Sequence, residues 1–490
     1  MPNPFLRFKK KAYVEFAVAA GVITFMVVML CLFSFDNGVK GLSEQITAVS
    51  SESSAEISSE LKSTSNRTDK SQADKEKTSS EVSEANSREN NNSNSKTTQK
   101  TIKKEAKSKT VTTWSAKNSN LQMGKSVNSF KYVDNFEKHM MSGLTDNQAL
   151  VLKQILDGID NFKTDIAIKE NVFKKDDLES LKSLFVLVKI ACIENSSVDS
   201  TYKYAGNNDY ITAIQLTYTK TKEEALAEKN QLMQKVNSIL NGITTDMNEF
   251  ERVEYIHDTI NKMCVYGESE TGNQDSAYGC LVEGRAICEG YSKAFLLLCN
   301  KAGIDCTIVT GTALSDSGEN VSHMWNMVMI DNEWYHIDLT WDDPTLNPLD
   351  KSYVRHDFFN LTDSEISQTH TSIKNEFYDY PKANSVKNNY FVYYNYSAYD
   401  YDSACDAMEK AVTEAVKSGN KYAAIKLNNN KTFITVKKKI FEASNGKTPI
   451  FALLKKVKKK TNVNFSTSEI SKMFMEETKV ITVVLKYSNK

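Results

Sequence analysis

The stretch GRAICEGYSKAFLLLCNKAG, residues 284–303, decides how this chain reads. Residues 294–299 are apolar without interruption, so a helix here is apolar nearly all round and belongs at the centre of a domain. Gly303 stands where a left-handed residue ends such a helix. Cys288 falls in the first turn, where free backbone N–H groups and the positive end of the helix dipole favour a thiolate. A cysteine so placed is either a reactive nucleophile or a small hydrophobe that packs well.

A base for that thiol is found downstream in VSHMWNMVMIDNEWYHIDLTWDDP, residues 321–344. Residues 324–330 and 333–340 read as two strands joined by a turn at Asp331-Asn332. With that turn, Ile330 faces Glu333 and Trp325 faces Asp338. His323 shares the face of Trp325, which makes His323 and Asp338 diagonal cross-strand neighbours, roughly 7 Å apart at the backbone. A three-residue loop would instead turn them to opposite faces. An imidazole oriented by a carboxylate can take a thiol proton and later return it to a leaving group. Cys288, His323 and Asp338 are therefore the candidate catalytic set; the bland alternative is a core histidine beside an edge-strand carboxylate.

Residues 276–311 and 323–344 together resemble the transglutaminase-like family of papain-type cysteine enzymes. Cys288, Glu289, Gly290 and Tyr291 match its nucleophile turn. His323, Trp325, Asn326 and Val328 match its base strand, and Asp338, Thr340, Trp341, Asp342, Asp343 and Pro344 its acid segment. The resemblance covers residues 263–370, and YIHDTINKMCVYG just upstream fits the helix that precedes such cores. It implies an α+β fold in which the cysteine helix packs on an antiparallel sheet carrying the histidine and aspartate. It also implies chemistry on amide bonds of proteins or peptides through a thioester, resolved by an amine (acyl transfer) or by water (hydrolysis). The Cys288 backbone N–H is one natural oxyanion donor, Tyr278 is the candidate second donor, and Trp325 and Trp341 are either pocket walls or core aromatics. No oxygen-rich loop with calcium spacing and no Cys/His cluster with zinc spacing stands out, so no cofactor is expected.

At 490 residues the chain is long enough for more than one domain. Its 61 Lys+Arg nearly balance 62 Asp+Glu, which gives no reason to expect a nucleic-acid partner. Residues 16–35, FAVAAGVITFMVVMLCLFSF, carry no charge and follow Arg7, Lys9, Lys10 and Lys11. That is about the length of a bilayer-spanning helix, with the preceding basic tail on the cytoplasmic side. The run exceeds a signal-peptide core and lacks a small-x-small cleavage site, so an uncleaved anchor is expected rather than a removed leader. With the resemblance, this implies a bacterial, membrane-anchored form working outside the cytoplasm.

Residues 37–128 are dominated by Ser, Lys, Glu, Asn and Thr, a composition that cannot bury enough apolar surface to fold. As a coil they would span on the order of 50 Å and act as a tether. A mainly helical region is expected over 129–245, with capping boxes at Thr145/Gln148 and Thr221/Glu224. The core follows at 246–380 and a small α/β domain at 385–490, opening on a Tyr-rich strand at 390–396. The eight cysteines show no paired spacing and read as free thiols. Two functions fit: a tethered cysteine enzyme, or a non-catalytic cell-surface or wall-binding module that keeps an enzyme core.

Overall fold

The computed structural model describes residues 140–315, 318–343, 353–442 and 448–487. The anchor expected at 16–35, the linker at 37–128 and Pro344 lie outside them. Helix α1 (Asp146–Asp160) starts on the Thr145/Gln148 capping box. After β1 (Asp165–Ala167) and α2 (Leu178–Ala191), β2 (Val198–Gly206) and β3 (Ile211–Tyr218) complete a three-stranded antiparallel sheet of order β1-β3-β2. Capping boxes also open α3 (Lys222–Leu240), through Thr221 and Glu224, and α4 (Glu249–Met263), through Asn248 and Glu251. Each box satisfies two otherwise orphaned backbone donors, which fixes where the helix begins.

Short strands β4 (Val265–Tyr266) and β5 (Arg285–Ala286) then pair in parallel and bracket a π-helical turn at Gly279–Glu283. Helix α5 (Cys288–Lys301) follows at once. Tyr291, Ala294, Phe295, Leu298 and Cys299 are fully buried along it, and each large apolar side chain so buried contributes about 1.5–3 kcal/mol. Its first turn lies hard against the preceding loop. A methyl group at Gly290 would meet the Gln274 carbonyl oxygen at 2.5 Å and the Ala286 Cβ at 2.8 Å. Glycine is needed there for close approach, which explains the residue two places after Cys288.

The sheet against α5 has the order β8-β7-β6-β9, all antiparallel: β6 (Cys306–Leu314), β7 (Asn320–Ile330), β8 (Glu333–Ile337) and, after α6 (Leu339–Asp342) and α7 (Asp363–Ile366), β9 (His370–Ser372). Asp331 and Asn332 both take left-handed backbone, φ 54° and 64°, so the turn is of the primed kind without glycine. The register runs from Ile330↔Glu333 to Asn326↔Ile337, as the two-residue turn requires. Strand β8 stops at Ile337, short of the expected residue 340, because the Asp338 carboxylate accepts from the Thr340 and Trp341 N–H groups and starts α6 instead. Val328, Ile330, Tyr335 and Ile337 join the main core with α5, while Val309, Trp325 and Met327 enter a smaller cluster with Phe358, Leu361 and Ile366.

The strand expected at 390–396 is corrected to a helical turn, α8 (Tyr390–Tyr393), and a strand of two residues, β10 (Ser397–Ala398). Asn389 caps the turn at the Phe391 N–H. Tyr390 and Tyr393 stack on His356 and Phe250, at 3.8 and 3.7 Å between ring centroids. Stacking, not strand alternation, placed these tyrosines. The chain ends with α9 (Tyr401–Ser418), β11 (Tyr422–Leu427), α10 (Asn430–Phe441), α11 (Pro449–Thr461), β12 (Phe465–Met475) and β13 (Val480–Tyr487), whose sheet of order β10-β11-β13-β12 has a core of its own around Val412, Ile425, Phe433 and Ile481. Among the described residues no helix is long and apolar enough to cross a membrane.

Candidate active site

Cys288 is the first residue of α5, preceded by an extended Ile287 whose side chain offers no acceptor to the first turn. His323 lies on β7, opposite Gly311 of β6. Its Nε2 is 2.7 Å from Asp338 Oδ2, which leaves Nδ1 for the neighbouring Cys288 thiol. Burial alone would lower the basicity of His323. The charge and hydrogen bond of Asp338, with the influence of Cys288, outweigh it and push the imidazole pKa up to about 10.

Asp338 is 1% exposed and has four donors. Oδ1 accepts from Thr340 N at 2.9 Å and Trp341 N at 3.3 Å, and Oδ2 from His323 and, at 3.0 Å, His370 Nε2. Burial works against its ionisation, yet the charge of His323 and the bonds from both imidazoles hold its carboxyl far below the usual range. The structure thus brings Cys288, His323 and Asp338 together, and adds His370. Sequence spacing gave no hint of His370, because it arrives 32 residues after Asp338 on a three-residue edge strand.

Both tryptophans stand beside His323, each with its ring centroid 6.0 Å away. Trp325 is buried and donates from Nε1 to His336 Nδ1, while the half-buried Trp341 meets Phe358 edge-on. A cavity of about 700 Å³ is lined by Trp325, His336, Asp363, His370 and Tyr380.

Tyr278 is not brought to Cys288; its hydroxyl donates to Gln231 of α3 at 2.7 Å. Another tyrosine, Tyr266, lies beside the Cys288 segment. It pairs with Ala286, two residues before Cys288, and burial followed by the charges of Cys288 and Asp338 raises its phenol pKa. The two acids after Trp341 are buried fasteners. Asp342 accepts from the Phe358 N–H and Asp343 from the Tyr291 hydroxyl and the Tyr266 N–H.

Ligand-type side chains converge twice among the described residues, at His323, Asp338 and His370 and at His257, Asp258 and His356, each with donor atoms within 4.8 Å of one another. Linear spacing concealed both. In each, the two imidazoles already hydrogen-bond the carboxylate.

Residues 236–339 match the family described as the transglutaminase-like superfamily. This part of the chain is a transglutaminase-like domain of the α+β class, and the match encloses Cys288, His323 and Asp338. The chain is similar to kyphoscoliosis peptidase of Mus musculus, 23% identical over 253 residues, 46% of this chain and 37% of the mouse protein. To the Homo sapiens protein of that name it is 31% identical over 85 residues, 15% of this chain and 13% of the human one. The chain therefore spans well under half the length of these relatives.

Among solved structures, a TGase matches with a TM-score of 0.21 at 17% identity, covering 29% of this chain and 44% of its own. A protein of Cytophaga hutchinsonii described as a cysteine protease matches at 0.19 and 14%, covering 28% and 61%. At these scores the likeness adds nothing to the family match.

Proposed function

We propose that this chain is a cysteine enzyme that cleaves or transfers amide-linked acyl groups of proteins or peptides, working outside the cytoplasm on a tether formed by residues 16–128. The observation that carries it is the single imidazole of His323, bonded to Asp338 through Nε2 and raised in basicity by both Asp338 and the neighbouring Cys288 thiol. The Cys288 sulfur attacks the amide carbonyl carbon. A C–S bond forms, the C–N bond breaks, and His323 gives its proton to the departing amine. The thioester is then attacked by water or by a second amine, whose proton passes to His323 as sulfur leaves. The Cys288 N–H is the natural donor for the oxyanion, and the Tyr266 hydroxyl is the candidate second donor. The uncharged run at 16–35 supports the placement, and the peptidase relatives support the substrate class.

The test uses iodoacetamide at neutral pH on residues 129–490, followed by glutamine-containing peptides with and without an added primary amine. Labelling at Cys288 and a mass change of the peptide (amide loss, amine incorporation or backbone cleavage) are expected. Labelling that survives Cys288→Ala unchanged, with no peptide altered, would leave the non-catalytic module as the reading.

A further inference from the structure

The Asp338 carboxylate is held by more groups than a thiol–imidazole–carboxylate set requires, and one of them is a second histidine. The His370 side chain is fully buried, and its Nε2 sits 3.0 Å from the same Oδ2 that binds His323. Its other nitrogen, Nδ1, is 2.7 Å from Thr369 Oγ1. That hydroxyl also lies 3.4 Å from the Ile366 carbonyl, too long to compete for its proton. Because Asp338 is ionised it can only accept, so the His370 proton must be on Nε2. Nδ1 is then a lone pair, and the Thr369 hydroxyl donates to it. One hydroxyl thus selects one tautomer of one buried ring, and that ring points its only N–H at the carboxylate.

We propose that His370, held in its Nε2–H tautomer by Thr369, is a positioning residue that locks Asp338 in the orientation needed to align His323 with Cys288. This rests on the reading of Cys288 as the reacting thiol. Oδ1 is tied to two backbone N–H groups and Oδ2 to two imidazoles, so the carboxylate cannot turn about its Cβ–Cγ bond without losing a donor.

The backbone is built to allow this. β9 approaches β6 at Gly311, where a methyl group would meet the Thr371 carbonyl oxygen at 2.2 Å and the Trp325 ring at 2.9 Å. Glycine lets the strand carrying His370 come that close. The titratable groups around the ring are Asp338, His323 and His336, the last paired with Asp363. Burial, followed by the opposing effects of Asp338, leaves the basicity of His370 below that of an ordinary histidine, as a neutral donor requires.

The experiment compares three proteins by the rate of Cys288 alkylation with iodoacetamide: wild type, His370→Phe and His370→Gln. Phenylalanine keeps the volume and loses the donor, whereas glutamine keeps an N–H near the Nε2 position. His370→Phe should react about 10–100-fold more slowly, the scale of loss when the partner of a functional histidine or carboxylate is removed. His370→Gln should recover most of the rate. A ring that merely fills space would give the opposite order. Nitrogen-15 spectra of the wild-type histidines need no variant to fold: a neutral Nε2–H ring for His370 supports the proposal, and an Nδ1–H ring or an imidazolium overturns it. Cys288 labelling that is normal and insensitive to both changes would sink the positioning role while sparing the enzyme, whereas no labelling at Cys288 in any protein would sink the enzyme itself.

Discussion

The two histidine–aspartate–histidine clusters are built from the same parts and differ in what surrounds them. In one, Asp338 accepts from His323 and His370 at 2.7 and 3.0 Å; in the other, Asp258 accepts from His257 and His356 at 3.2 and 2.9 Å. Both central imidazoles are made more basic against the lowering effect of burial, to about 10 for His323 and about 9 for His257. The second nitrogen separates them. That of His257 meets the Asn261 side-chain amide at 3.2 Å and a further carboxylate, Asp342, at 3.4 Å, and Lys262 neutralises the other Asp258 oxygen at 3.1 Å. Among the described residues no second carboxylate pairs with His323, whose other nitrogen is left to the Cys288 thiol. A histidine clamped by carboxylates on both sides holds a fold together, whereas one with a free side can move a proton. Identical chemistry is structural or catalytic according to which position is left open.

The largest effect should come from Asp338→Asn. The amide would hold His323 in the wrong tautomer, with its lone pair toward the amide and its proton toward the thiol. The rate of Cys288 acyl chemistry should fall about 10⁴-fold, measured by single-turnover release of amine from a peptide amide. An equal loss in Asp258→Asn, with the fold intact, would erase the distinction between the clusters.

Next comes His257→Ala, which strips the counter-ion from the buried Asp342 and should cost about 3–5 kcal/mol in urea unfolding at pH 6. Cys288 labelling of the folded fraction should be unchanged. This cost depends on pH with a definite sign. The His257 pKa rises from 6.5 unfolded to about 9 folded, so its stabilisation is complete below pH 6.5 and is lost as pH climbs through 9. The gap between wild type and variant should therefore narrow between pH 7 and pH 10. A gap that widens would mean His257 is neutral in the folded protein.

The hairpin is legible in the sequence because its information is local. Residues 323, 325 and 338 are tied by a two-residue turn, and alternation carries the register along the strands. The same holds for α5, whose burial is written in six consecutive apolar residues. What lay hidden depends on long-range approach. His370 reaches Asp338 only because β9 can pair with β6 across Gly311, and His356 reaches Asp258 across 98 residues. The end of β8 is not legible there, because a carboxylate competing for backbone N–H groups leaves no trace in hydrophobic alternation. The tyrosines at 390–396 misled for a related reason: β-propensity describes a half-buried pleated surface, and these rings found stacking partners elsewhere.

The smaller effects separate two tyrosines. Tyr266→Phe removes a hydroxyl that senses the charges of Cys288 and Asp338, and should slow acylation about 10²–10³-fold if it serves the oxyanion. The loss should fall on kcat, since the donor acts where charge develops and not on the ground-state amide. Alkylation by iodoacetamide forms no oxyanion and should be far less affected, which separates this role from a general disturbance of the thiol. Tyr278→Phe deletes only the hydrogen bond to Gln231 on α3, an exposed contact worth about 0.5–1 kcal/mol. Its kcat, KM and labelling rate should match wild type. A large kcat defect from Tyr278→Phe alongside a silent Tyr266→Phe would reverse the assignment, and would require the Tyr278 side chain to leave α3 and turn toward the thiol when substrate binds.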